Sequence, residues 1–120
     1  MGLMYVPVKI RNLGSRRPSY QADFLIDTGA MDSMAPGAKL REIGFKPVGV
    51  ERYQLADGRM CEFPFILAEI TFMGKITAGR VILGPDDVEP LLGVTALESA
   101  GIVLDPVKGE LRRLPAISLR

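Results

Sequence analysis

FLIDTGAMDSM, residues 24–34, places three large apolar side chains directly before an Asp-Thr-Gly sequence. An ionised carboxylate at the end of a hydrophobic run is costly to bury unless it is paired or hydrogen-bonded. One explanation for Asp27 is a strand that ends in an ordinary turn, because Asp, Thr and Gly are all common turn residues. The other is a functional carboxylate, and a motif this short does not separate the two.

Length and composition indicate one soluble domain that spans residues 1–120. Hydrophobic residues make up 48% of the chain and charged residues 24%, which is ordinary for a globular protein. The net charge is +1 and the basic clusters are pairs, Arg16-Arg17 and Arg112-Arg113, so nucleic acid is not expected as a partner. The first twelve residues alternate and contain Lys9 and Arg11, which predicts neither a signal peptide nor a membrane span.

The cysteine and histidine counts exclude several kinds of chemistry. Cys61 is the single cysteine, so no internal disulfide can form, which favours a cytoplasmic location. The chain has no histidine, which excludes Ser-His-Asp and Cys-His nucleophile systems within it. A zinc site would need one cysteine and carboxylates, an unusual ligand set, so we expect no metal and no cofactor. Carboxylates are the main candidates left for acid–base chemistry.

The pattern along the chain predicts an all-β domain of short strands separated by turns. Strands this short, with turn signals every 8–12 residues, are typical of a closed or sandwiched β domain. Asp57-Gly58, between two such strands, is a strong hairpin signal. The expected strands are residues 4–10, 20–26, 48–55, 60–68, 69–73, 76–83, 102–104 and 110–119.

Little of the sequence favours helix. Residues 38–43 suit a short helical turn before Gly44. Residues 95–100 suit one short helix, with Thr95 as N-cap, Glu98 three residues later and Gly101 at the end. The apolar pair at 91–92 comes just before this helix and ends in a glycine, and taken alone it is ordinary core.

In combination these segments resemble the retropepsin-like aspartic proteases, the single-domain fold of retroviral proteases and their cellular relatives. FLIDTGA, residues 24–30, matches the apolar-apolar-Asp-Thr-Gly-Ala signature of that family. VILGPDDVEPLLGVTAL, residues 81–97, resembles the apolar-apolar-Gly segment that follows the family's flap and precedes one short helix. The order of parts agrees over roughly residues 5–111. The resemblance implies a closed β-barrel of the acid-protease fold with one short C-terminal helix.

The same resemblance implies an aspartic endopeptidase whose active site is shared by two identical chains. Asp27 and its symmetry mate would act as acid and base, because peptide hydrolysis by carboxylates needs both. Thr28 would hydrogen-bond across to the partner chain. Gly29 would let the backbone approach the carboxylates and donate its N–H to them. The implied partners are a second copy of the chain and a peptide or protein substrate.

The substrate would lie extended across the two-fold axis under two hairpin flaps, paired through its main chain. The flap tip is expected at residues 55–59, and Gly58 is expected to have a positive φ. An ordinary structural hairpin is the alternative for this segment. The expected substrate-binding residues are Ala30, Met31, Asp32, Leu55, Ala56, Asp57, Gly58 and Leu91.

The chain departs from the viral pattern at several positions. Met31 and Val94 stand where viral members often have an Asp–Arg ion pair, and an apolar contact between them is one replacement. Asp32 is either a contact to the substrate main chain or a solvated turn carboxylate. The flap sequence QLADGR, residues 54–59, lacks the viral run of glycines. The C-terminal segment contains Pro115, which indicates an edge or a bend there.

Two other functions remain open from the sequence. A protease fold that cleaves weakly or not at all could serve as a binding or dimerisation module, since fold alone does not imply function. A β-barrel ligand-binding domain with Asp27 as a turn residue is the second, and it predicts a monomer.

Overall fold

The computed structural model describes residues 3–15 and 18–120, so the basic pair Arg16-Arg17 lies outside the described residues. Within these ranges the chain forms nine strands and two short helices and is mostly β. In chain order they are β1 (Tyr5–Arg11), β2 (Tyr20–Asp27), β3 (Ser33–Pro36), α1 (Gly37–Glu42), β4 (Gly49–Gln54), β5 (Met60–Phe72), β6 (Lys75–Gly84), β7 (Leu91–Gly93), α2 (Val94–Ser99), β8 (Ile102–Asp105) and β9 (Glu110–Arg113).

Six of these strands close into a barrel. The strand order is β1-β2-β7-β3-β6-β5, and β5 returns to β1 through residues 69–71 paired with residues 9–11. β4 pairs with β5 outside this ring, and β8 pairs with β9 as a separate two-stranded sheet. The expectation of a closed, mostly β domain is therefore confirmed.

The core fills the inside of the barrel and continues under the two helices. In β1 the side chains of Val6, Val8 and Ile10 are buried while Tyr5 and Pro7 are exposed, as the alternation of a one-face-buried strand requires. Each large apolar side chain buried in this way contributes roughly 1.5–3 kcal/mol. The largest fully buried apolar side chains are Phe24, Phe72, Ile10, Leu40, Ile66, Ile70, Leu92, Ile102 and Val81.

Two strand predictions need correction. Residues 60–68 and 69–73 form one continuous strand, β5, because the inward alternation of Ile66, Ala68, Ile70 and Phe72 runs through the predicted break. The C-terminal strand ends at Arg113 rather than at residue 119, and Pro115 lies beyond it. β3 was not predicted at all. It is held by parallel pairing with β6 and by one antiparallel pair to β7, neither of which is visible locally.

The helices agree in position but not in capping. The helical turn predicted at 38–43 is α1, and the C-terminal helix predicted at 95–100 is α2. The described residues thus contain two helices, whereas the family resemblance implies one short C-terminal helix. The prediction that Thr95 caps α2 is wrong: the N-cap is Gly93 and no side chain caps it. Gly101 closes α2 with a φ of +70°, as expected. Neither helix of the described chain is long and apolar enough to cross a membrane.

Candidate functional site

Asp27 is the last residue of β2 and lies beside Gly93 in the parallel ladder between β2 and β7. The ladder pairs residues 25–27 with residues 91–93, so the two apolar runs that end in glycine-containing breaks are neighbours in space. Phe24, which is fully buried, anchors the end of β2 in the core, while Asp27 itself is half-buried. A Cβ atom on Gly93 would lie 2.6 Å from the backbone of Asp32, so only glycine fits here.

The loop after β2 folds back on the Asp27 carboxylate. The N–H of Gly29 donates to Asp27 Oδ1 at 3.0 Å, which confirms the donor expected at this position. The N–H of Ala30 donates to the Asp27 carbonyl oxygen at 3.2 Å. A Cβ on Gly29 would lie 3.3 Å from the same Oδ1, a tight contact that favours glycine. Thr28 is exposed, and its bond to a partner chain stays a prediction.

The start of α2 holds this loop in place. The N–H of Val94 donates to the Ala30 carbonyl oxygen at 2.8 Å, and the N–H of Thr95 donates to the Met31 carbonyl oxygen at 3.2 Å. The hydroxyl of Thr95 also lies 3.2 Å from Met31 Sδ. Backbone bonds therefore connect the segments that carry Met31 and Val94, where viral members often place an ion pair. The Met31 side chain is 64% exposed.

A groove of about 540 Å³ opens over Asp27. It lies between the Asp27 loop and the hairpin formed by β4 and β5, with parts of β6 and β7 completing its wall. Most of the predicted site lines it, whereas Thr28, Asp57 and Gly58 do not. The lining residues are Asp27, Gly29, Ala30, Met31, Asp32, Met34, Arg52, Tyr53, Gln54, Leu55, Ala56, Phe63, Ile82 and Leu91.

The hairpin turns where the sequence predicts it. The N–H of Leu55 donates to the Arg59 carbonyl oxygen at 2.8 Å, and the N–H of Gly58 donates to the Leu55 carbonyl oxygen at 2.9 Å. Gly58 has a φ of +89°, which confirms the predicted left-handed residue. Arg59 and Asp57 form an ion pair of 2.6 Å at the tip, where exposure limits its contribution to about 0–1 kcal/mol. The lid function of this hairpin stays a prediction.

Asp32 is buried, with only 8% of its surface exposed, so its interpretation as a solvated turn carboxylate is wrong. Its Oδ2 accepts a hydrogen bond from the Tyr53 hydroxyl at 2.6 Å. The same oxygen lies 3.0 Å from Nε of Arg80. Burial, and then the bond to Asp32, raise the pKa of Tyr53, so this phenol stays a donor over the physiological range.

Arg80 extends the cluster to a second carboxylate. Its Nη1 lies 3.0 Å from Glu51 Oε2, and its Cζ lies 5.1 Å from the centre of the Phe65 ring. The bond from the Arg52 backbone N–H, and then the bond from Arg80, lower the pKa of Glu51. Sequence reasoning missed Glu51, Tyr53 and Arg80. The available signal was the period of two on β4, which places residues 51 and 53 on one face.

Metal-ligating side chains do not cluster in the part of the chain that is described. No group of three or more His, Cys, Asp or Glu side chains there is arranged to hold a metal ion. Cys61 is a free, half-buried thiol on β5.

No family model matches this chain, and no curated protein matches it significantly. The fold defines the class, a mostly β domain with a closed six-stranded barrel. What can be inferred about function depends on the geometry around Asp27.

Proposed function

We propose that this chain is an aspartic endopeptidase of the retropepsin-like fold, active as a homodimer with one Asp27 from each copy. The observation that supports it best is the placement of Asp27. It ends a buried strand, accepts the Gly29 N–H at 3.0 Å and lines a groove of about 540 Å³ beside a hairpin. A turn aspartate needs no groove and no hairpin beside it.

The need for a second copy follows from the carboxylates in the groove. Asp27 and Asp32 are the two that line it among the described residues. Asp32 Oδ2 is already engaged by the Tyr53 hydroxyl and by Arg80 Nε, which leaves Asp27, of the described carboxylates in the groove, without a cationic partner. One available carboxylate does not suffice, because hydrolysis needs a base for water and an acid for the carbonyl oxygen. A two-fold axis near Asp27 would supply the second carboxylate through an isologous interface.

In the proposed dimer the two Asp27 carboxylates share one proton. Two negative charges so close are unfavourable, and the pair titrates as a unit, for which aspartic proteases are the well-known example. The ionised carboxylate takes a proton from water as the water oxygen attacks the scissile carbonyl carbon, and the protonated carboxylate gives its proton to the carbonyl oxygen. In the resulting tetrahedral diol the C–N bond breaks as the newly protonated carboxylate gives its proton to the leaving nitrogen and the other carboxylate takes a proton from a diol hydroxyl, which restores the shared proton. The Gly29 N–H restricts rotation of its carboxylate, and Thr28 would join the two loops.

The lining of the groove suits an extended peptide with apolar side chains. Its apolar members come from the loop, the hairpin and the barrel wall: Ala30, Met31, Met34, Leu55, Ala56, Phe63, Ile82 and Leu91. An extended substrate places alternate side chains in opposite directions, so loop and hairpin would each receive part of it. A closed hairpin would exclude water other than the nucleophile.

The test is incubation of the purified protein with a diverse peptide library at several pH values, with and without a statine-type inhibitor. We expect inhibitor-sensitive cleavage that is fastest at acidic to neutral pH and indifferent to chelators. Activity should fall on the alkaline side as the shared proton leaves, and on the acid side as both carboxylates become protonated. A dimer that cleaves nothing would indicate a binding or dimerisation module. A monomer that cleaves nothing would indicate a ligand-binding barrel.

A further inference from the structure

The cluster around Asp32 joins three separate segments of the chain. Asp32 follows the Asp27 loop, Tyr53 belongs to β4 of the hairpin, and Arg80 belongs to β6 of the barrel. One oxygen, Asp32 Oδ2, accepts from the Tyr53 hydroxyl at 2.6 Å and from Arg80 Nε at 3.0 Å. The cluster therefore connects the candidate active-site loop, the hairpin and the barrel wall.

The carboxylate at its centre depends on both partners. Asp32 is 8% exposed, and a buried carboxylate that loses its partner is left as an uncompensated charge. The hydrogen bond from Tyr53 and the positive charge of Arg80 stabilise the same oxygen. Removing either partner changes the interaction of Asp32 with the hairpin or with the barrel, so the three segments are coupled.

The hairpin strand β4 has few other attachments. Among the described strands it pairs only with β5, and it lies outside the closed ring. Among the described residues, two contacts of its side chains reach segments other than β5: Tyr53 contacts Asp32 in the loop and Glu51 contacts Arg80 on β6. Both belong to the cluster. The distance between the hairpin and Asp27, which sets the width of the groove, thus depends on these contacts.

We propose that Tyr53 and Arg80 are positioning residues that fix the base of the hairpin to the Asp27 loop through the Asp32 carboxylate. The base is defined here as β4, residues 49–54, as distinct from the tip at residues 55–59. This inference rests on the proposed function, because the geometry that it preserves is that of the proposed substrate groove. Asp32 then serves as an internal anchor for the hairpin, and the tip moves about a fixed base.

The geometry of Arg80 cannot be reproduced by another cation. Its Nε bonds Asp32, its Nη1 bonds Glu51, and its Cζ lies over the Phe65 ring, 5.1 Å from the ring centre. A lysine carries the same charge on a single nitrogen and cannot bridge two carboxylates in this fixed arrangement. Arg80→Lys therefore keeps the charge and removes the bridge.

The experiment uses Arg80→Lys and Tyr53→Phe, with Arg41→Lys and Tyr20→Phe as matched controls outside the groove. Amide hydrogen exchange of residues 49–54 is measured in the free protein, and kcat and KM are measured on one peptide from the library that the wild type cleaves. We expect the amides of the base to exchange about tenfold faster than in the wild type in both cluster variants, and at the wild-type rate in both controls. We expect kcat/KM to fall about tenfold to a hundredfold, with a higher KM, because substrate binding must also order the base.

Faster exchange confined to the base together with the loss in kcat/KM supports the inference. Unchanged exchange in Tyr53→Phe, which removes one hydroxyl and should fold even if Arg80→Lys does not, overturns it. Faster exchange with unchanged kcat and KM overturns the positioning role, since a merely structural contact would give that result. A wild type that cleaves no peptide overturns the proposed function instead. In that case the exchange rates of residues 49–54 alone test whether the cluster attaches the hairpin to the Asp27 loop.

Discussion

Asp27 and Gly93 are direct neighbours in the parallel ladder between β2 and β7. The backbone of residues 31–32 lies so close to Gly93 that no side chain fits at position 93. The nearest atom to a Cβ on Gly93 would be in the backbone of Asp32, at 2.6 Å. The glycine thus allows the loop that carries Asp27 and Asp32 to fold against β7. This close approach links the two sequence motifs that carry the resemblance to aspartic proteases.

Gly93→Ala tests this relationship directly. A methyl group at 2.6 Å from backbone must displace the loop, so we expect a loss of about 1–3 kcal/mol or more in the free energy of unfolding. Gly79→Ala on β6 is the matched control, because a Cβ there meets nothing within 4 Å. Denaturant unfolding of both variants measures the difference. Equal stability of the two would show that the loop does not depend on this contact.

Assembly into a homodimer is expected from the single available carboxylate in the groove. The C-terminal segment, which the family resemblance places near the interface, exposes Leu114, Ile117 and Leu119 in the single chain. Analytical ultracentrifugation should give twice the chain mass of 13.1 kDa at micromolar concentration. A protein that stays monomeric at high micromolar concentration would contradict both the dimer and the shared active site.

Asp27→Asn should abolish cleavage while the dimer stays folded. The amide keeps the shape of the side chain and its acceptor for the Gly29 N–H, but it removes the acid–base pair, so the rate should fall about a thousandfold or more. Asp23→Asn, at an exposed position of the same strand, is the control and should cleave as the wild type does. Peptide cleavage retained in Asp27→Asn would place the chemistry elsewhere.

Stability should decrease in alkali because of Tyr53. Burial, and then the bond to Asp32, raise its pKa above the ordinary value of 10.0, so above that pH the unfolded state loses this proton before the folded state does. The contribution of Tyr53 to the free energy of unfolding is therefore complete below pH 10.0. It is lost as the pH rises towards the pKa of Tyr53 in the folded protein, by at most about 1.4 kcal/mol per pH unit.

The measurement is the free energy of unfolding between about pH 8 and about pH 11. The pKa values of Tyr5 and Tyr20 are also raised, by the bond to Glu89 and by burial respectively, so the wild-type slope includes all three tyrosines. Tyr53→Phe should make the slope shallower. An identical slope in that variant would mean that Tyr53 titrates normally in the folded protein.

Local signals in the sequence were sufficient for part of the fold and part of the site. The turn at Asp57-Gly58 and the left-handed Gly58 follow from a two-residue preference, and the Gly29 donor follows from the motif itself. The partners of Asp32 do not follow from local sequence signals, because Tyr53 and Arg80 are distant from it in sequence and contact it only once the barrel closes.

Contacts between distant segments also account for the missed strand β3 and for the wrong cap at Thr95. β3 has no alternation of its own and exists through its pairing with β6 and β7. Thr95 has the sequence of a cap, but α2 begins one residue earlier. The backbone N–H of Thr95 donates to the Met31 carbonyl oxygen. Tertiary contacts override local preference at both places.

The tip of the hairpin should be mobile in the free dimer and become protected when a peptide binds. Residues 56–60 are exposed, so little burial holds the tip in a closed position without a ligand. Hydrogen exchange at residues 55–60, with and without a transition-state mimic, measures this. Unchanged protection would contradict the lid and favour a rigid scaffold.

Gly58→Val tests whether tip mobility serves turnover. Gly58 has a φ of +89°, and a Cβ atom there would meet nothing within 4 Å, so a valine is strained without being sterically blocked. Gly109→Val is the matched control, since Gly109 has a φ of +64°, equally open surroundings and a place outside the groove. Both variants should lose similar stability, but only Gly58→Val should lose turnover, because its strain falls on the segment that must close over the substrate. Equal kcat values in the two variants would show that the tip takes no part in catalysis.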